Sequence, residues 1–218
     1  MTDPRELATA ELLGALTYAQ LRSFQVAANV VRFAPNARTA DQLADFSLRE
    51  HHGYVLLRER LAELTDIPSS VLDRQRGQAD RFFDNLPITD WVSATAFLAV
   101  GLPIAADFAR AVAPALDEPT AQAVLSALAE RDVFERFALS QLDEAVGDDE
   151  DERERARHLV ADILGRAIRQ FQGAIEETDA LRVLFGGEAA GDAERRTAMG
   201  VLDQHRRRMA EIGLDSPE

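Results

Sequence analysis

The chain has 218 residues, a formal charge of −14 and no cysteine. Its length suits one domain over 1–218. Disulfides and thiolate metal sites are excluded, and the excess of acid, with basic charge carried by arginine alone, argues against nucleic acid or a membrane surface as partner.

Nearly every segment reads as helix, because glycine and proline fall between periodic runs and long alternating patterns are missing. The acidic start, Met1-Thr2-Asp3-Pro4, lacks the apolar run of a signal peptide, and a cytoplasmic protein is expected. A first helix is predicted over about 6–33, ending before Ala34-Pro35-Asn36. A second runs over about 39–65 and opens on Thr39 with Gln42 three residues on, a capping-box pattern. A shorter helix over about 71–84 follows Ile67-Pro68-Ser69-Ser70. Thr89 is the expected cap of a third long helix over about 89–112, with a kink or break near Gly101-Leu102-Pro103. The uncharged stretch 91–106 within it is too short for an ordinary membrane span and reads as a helix buried on most sides.

Helical pattern resumes from Pro119 to about Ala145, with an interruption near Arg131-Asp132. The acidic run 147–152 places negative charge before a fourth long helix over about 151–184, which favours its macrodipole. Gly186, Gly187 and Gly191 mark a loop. An accessory helix over about 192–212 ends at Gly213, and the tail 214–218 is expected to be loose. The fold class is therefore all-α: four long core helices plus accessory ones. The long path between the second and third suits a ferritin-like four-helix bundle with its crossover.

Polar residues on the inward faces are the candidates for function. Glu50 shares a helical stripe with Leu43, Phe46, Tyr54, Leu57, Leu61 and Leu64. A carboxylate aimed at a core needs a metal, a cation, a donor network or a proton. Gln20 lies on the apolar face of the first helix, and Ser93 lies among Trp91, Val92, Phe97 and Leu98. Bundles that hold two metals use a Glu-x-x-His pair, and here the position three after Glu50 is Gly53; no glutamate in the chain has a histidine three residues later. His51 and His52 are turned about 100° and 200° away from Glu50 on the wheel. Glu154 with His158, and the run His205-Arg206-Arg207-Arg208, read as surface pairing. Phosphate-binding loops, dinucleotide glycines, nucleophile elbows and His-Glu-x-x-His are absent.

Leu12-Leu13-Gly14-Ala15-Leu16-Thr17-Tyr18-Ala19-Gln20-Leu21-Arg22-Ser23-Phe24 resembles the first helix of ferritin-like proteins similar to the tRNA isopentenyladenosine hydroxylase, the MiaE-like group of actinobacteria. Glu50-His51-His52-Gly53-Tyr54 resembles the second helix, Asp90-Trp91-Val92-Ser93 the start of the third, and Leu164-Gly165-Arg166-Ala167-Ile168 the fourth. The resemblance implies that a di-iron ligand set would fall on Gln20, Glu50, Gly53, Ser93 and Arg166, with Phe134 one register for a second histidine. Only Glu50 keeps a ligand's chemistry. It also suggests that Arg166 neutralises Glu50, although Arg166 lies off the apolar stripe of Val160, Leu164, Ala167 and Phe171.

Three readings follow. One is a ferritin-like protein without its di-iron centre, binding no cofactor and acting as a structural, interaction or ligand-binding protein. A second is a di-iron hydroxylase with an atypical iron site that recruits His51 or His52. The third is a helical adaptor unrelated to that group. A homodimer is expected, with a small ligand or protein partner unspecified.

Overall fold

The computed structural model describes residues 3–86, 88–177, 179–186 and 190–215. Gly187 of the predicted loop, the tail end 216–218 and the side chain of Phe171 lie outside the described residues. The helices are α1 (Pro4–Val30), α2 (Ala37–Leu64), α3 (Pro68–Phe83), α4 (Trp91–Val112), α5 (Glu118–Ala127), α6 (Arg131–Val146), α7 (Glu150–Glu177), α8 (Ala180–Leu184) and α9 (Ala190–Glu211). The described residues contain no strand.

Local chemistry sets the starts of these helices. Asp3 caps α1 through the Arg5 amide, with Pro4 in the first turn. Asn36, rather than Thr39, caps α2 by accepting from the Thr39 amide at 2.9 Å. Asp90, rather than Thr89, caps α4. In each case an Asn or Asp side chain close before the helix displaces the weaker threonine cap. Pro103 lies inside α4, which runs through Gly101-Leu102-Pro103 without a break. Of all the described helices, only α4 is apolar and long enough to suggest a membrane span, and 78% of that window is buried inside the protein.

The bundle is made by α1, α2, α4 and the α5–α6 pair. A short 3₁₀ turn, Val31–Phe33, joins α1 to α2, so the two pack as a hairpin. The chain then crosses through α3, which lies on α1, before entering α4. From there α5 and α6 run antiparallel along α2. Arg60 donates to Asp117 and Thr120, both at 2.9 Å. Gly53 faces the Ala127 carbonyl, Arg131 meets Glu50, and Phe134 stacks on Phe46. Thus 117 and 120 meet position 60 of α2, and 127, 131 and 134 meet 53, 50 and 46 in turn, so the numbering rises on one side as it falls on the other.

The fourth wall is therefore α5–α6, where the pattern predicted the helix over 151–184. That helix, α7, packs on α4 and α3. The fourth wall was obscured by its break: Glu130 adopts φ 64° and divides it into two short helices. The terminal α9 packs on α4 and α8. It buries His205 and Arg208, which the pattern had placed at the surface. Arg208 donates to Asp107 at 2.6 Å and to Glu135 at 3.4 Å.

The apolar core is divided in two along the bundle. One cluster gathers Val26, Val30, Leu43, Phe46, Phe97, Leu98 and Phe134. The other gathers Leu12, Leu13, Leu57, Leu61, Val112 and Val124. On every bundle helix the two clusters part at the same level, between 13 and 26 on α1, 46 and 57 on α2, 104 and 106 on α4, and 128 and 134 on α5–α6. Gln20, Glu50 and Arg131 occupy that level.

Candidate functional site

Glu50 projects inward because it holds the stripe position between Phe46 and Leu57, and it is only 2% exposed. Gln20 reaches it from the middle of α1 and Arg131 from the first turn of α6, both buried. Arg131 Nη2 donates to Glu50 Oε2 and, at 3.1 Å, to Gln20 Oε1. Arg131 Nη1 donates to the Leu102 carbonyl of α4 at 3.2 Å. Gln20 Nε2 donates to Glu50 Oε2 at 3.1 Å and to the Glu50 carbonyl at 3.2 Å. One anion, one cation and one amide thus tie all four walls together. Arg131 Nε remains without a partner among the described residues.

Electrostatics explain why this centre holds. Burial pushes the Glu50 carboxyl above the ordinary carboxylate range, and the Arg131 guanidinium and the Gln20 amide pull it back. Removing either charge alone would strand the other in a low-dielectric interior.

Gly53 belongs to the centre by its small size. A Cβ there would lie 2.9 Å from the Ala127 carbonyl oxygen and 2.9 Å from Gln20 Nε2. The glycine lets α5 approach α2 and leaves room for the amide. Gln20, Glu50 and Gly53 are thus brought together. Ser93 and Arg166 are not. Ser93 completes the capping box of α4, its hydroxyl accepting from the Thr89 and Asp90 amides at 3.0 Å. Arg166 is 30% exposed at its side chain and pairs one turn back with Asp162 at 2.7 Å. The neutralising role suggested for Arg166 falls to Arg131, because α6 rather than α7 lines the bundle at this level.

Arg131 was legible in principle. Ala127, Arg131, Phe134, Ala138 and Leu142 are buried at spacings of three and four, one apolar stripe interrupted by one charge. The neighbouring Asp132 and Glu130 made the segment resemble a solvated interruption instead.

The residues present do not fit a two-metal centre. Glu50 is a single carboxylate, and a guanidinium occupies the side from which a cation would approach it. His51 and His52 are exposed on the outer face of α2, with His51 edge-on to Phe24. The described residues contain no group of three or more His, Cys, Asp or Glu placed to hold a metal ion.

Comparison with known proteins agrees with this architecture. No curated protein matches the chain. A family model described as "Ferritin-like domain, actinomycetes" matches residues 4–188, which takes in the four walls of the bundle and ends before α9. The chain belongs to the actinomycete ferritin-like domain family.

Proposed function

We propose that this protein is a ferritin-like bundle, related to the tRNA isopentenyladenosine hydroxylase-like group, in which an arginine has taken the place of the di-iron centre. It serves as a non-catalytic structural, interaction or ligand-binding protein. The observation that carries this reading is the contact of Arg131 with Glu50 at mid-bundle. A metal ion beside Glu50 would face a fixed positive charge and one carboxylate where two ions need several. The Gln20 amide supports the same reading, since all its bonds go to Glu50 and Arg131.

Anaerobic titration of ferrous iron, followed by calorimetry, tests the proposal on the full chain and on Glu50→Gln. The expected result is no saturable uptake that depends on Glu50. Saturable binding to the parent chain that disappears in Glu50→Gln would overturn it.

A further inference from the structure

Two chambers open between helices that pack on α1 and α4, and they share lining residues. The larger, about 120 Å³, lies between α1, α3, α4 and α7, with a largely apolar lining that includes Ala15, Ala79, Phe82 and Ile104 beside Gln75 and Gln170. The smaller, about 30 Å³, lies between α1, α2, α4 and α5–α6 and is bordered by Gln20, Ser23 and Arg131. Leu16, Ala19 and Ala105 line both. On α4 every residue from Ser93 to Ile104 is buried, and Ala105 is the first that is not. This break in burial falls at the wall common to both chambers.

The polar end of this space has an unmet demand. Arg131 is 7% exposed, it lines the smaller chamber, and its buried Nε–H has no partner among the described residues. A buried donor of this kind calls for an acceptor. The charge already present selects which acceptor. Glu50 and Arg131 neutralise one another, so an incoming carboxylate would set a second anion beside the first, while a neutral oxygen adds no charge. The apolar end selects the rest. At about 120 Å³ the larger chamber alone is of the order of the ~150 Å³ apolar cavity that holds benzene in an engineered protein.

We propose that the paired chambers bind a small neutral apolar molecule carrying one oxygen acceptor, of the class of medium-chain ketones, aldehydes and alcohols. Its chain lies in the larger chamber and its oxygen accepts from Arg131 Nε. The site rests on the proposed function in one respect, since both need Arg131 held on Glu50; iron titration and ketone titration are separate measurements, so failure of one is distinguishable from failure of the other.

The test is calorimetric titration of the full chain with 2-octanone and, separately, with octanoate. The expected result is saturable binding of one ketone per chain, with octanoate at least tenfold weaker. Ala105→Leu and Ala19→Leu fill the common wall and leave Glu50 and Arg131 unsubstituted, and each is expected to weaken the ketone at least tenfold while circular dichroism stays unchanged. Nuclear Overhauser contacts from the ketone chain to the Ala19 and Ala105 methyls of the unsubstituted protein supply a readout that needs no variant. Absence of saturable binding, octanoate binding as tightly as the ketone, or absence of those methyl contacts overturns the proposal. So does a crystal structure grown with the ketone that shows only an ordered water at Arg131 Nε.

Discussion

Replacing Arg131 by methionine keeps most of the side-chain volume and removes the charge. Glu50 is then a buried carboxyl with only the Gln20 amide as a donor. Such a group escapes ionisation by taking up a proton, because burial disfavours its charged form. At pH 7 the unfolded chain, with a glutamate pKa of ~4.3, holds that carboxyl ionised while the folded variant must hold it neutral. The gap of roughly 2.7 pH units, at about 1.36 kcal/mol each, sets an upper bound of ~4 kcal/mol on the lost stability, since burial already raises this carboxyl in the parent. This agrees with the roughly 3–5 kcal/mol seen when one partner of a buried ion pair is removed. The sign follows from the raised carboxyl: its folded state is favoured below the unfolded pKa and loses ground as pH rises. The cost of Arg131→Met should therefore shrink to ~1 kcal/mol at pH 5. Urea unfolding of parent and variant at pH 5 and pH 7 measures both values. Adding Glu50→Leu to Arg131→Met should recover most of the loss at pH 7, since an apolar pair can replace a buried ionic one at little cost. A loss below ~1 kcal/mol at pH 7, or one independent of pH, would show that Glu50 is not stranded without Arg131.

Gly53→Ala should destabilise the fold by about 1–3 kcal/mol in the same assay, despite alanine's better helix propensity, because the new methyl meets a backbone carbonyl that cannot swing aside. Ser93→Ala should cost about 0.5–2 kcal/mol through the lost capping box, and leave the pH response of Arg131→Met unchanged. Arg166→Ala should change unfolding free energy by no more than about 0.5 kcal/mol, as an exposed pair one turn apart would. His205 supplies an acid response of opposite sign. Burial, with Arg208 and Arg206 nearby, lowers its pKa to about 4, so the stability it lends is complete above ~6.5 and lost as pH falls toward 4. The loss is at most roughly 3 kcal/mol and should disappear from the pH profile of His205→Gln.

What the sequence disclosed follows from what it encodes locally. Helix periodicity and caps are short-range, so the α-helical class and the long elements could be read from residue patterns. Glu50 and Gln20 stood out as polar members of strong apolar stripes. Arg131 did not, because the interruption read near Arg131-Asp132, flanked by the charges of Glu130 and Asp132, resembled a solvated break and hid the stripe that continues through it. The choice between α5–α6 and α7 as fourth wall is a matter of long-range packing, and the more regular amphipathic pattern of α7 pointed the wrong way. Ser93 shows the opposite failure. It looked like a pocket residue on the wheel, but a serine three places after Asp90 serves the helix start first.

The central claim is that a guanidinium stands where metal ions would, and the most direct measurement is the iron content of the full chain purified from iron-replete cells. The account predicts less than ~0.1 iron per chain, whereas about two per chain, as a paired-metal bundle would hold, contradicts it.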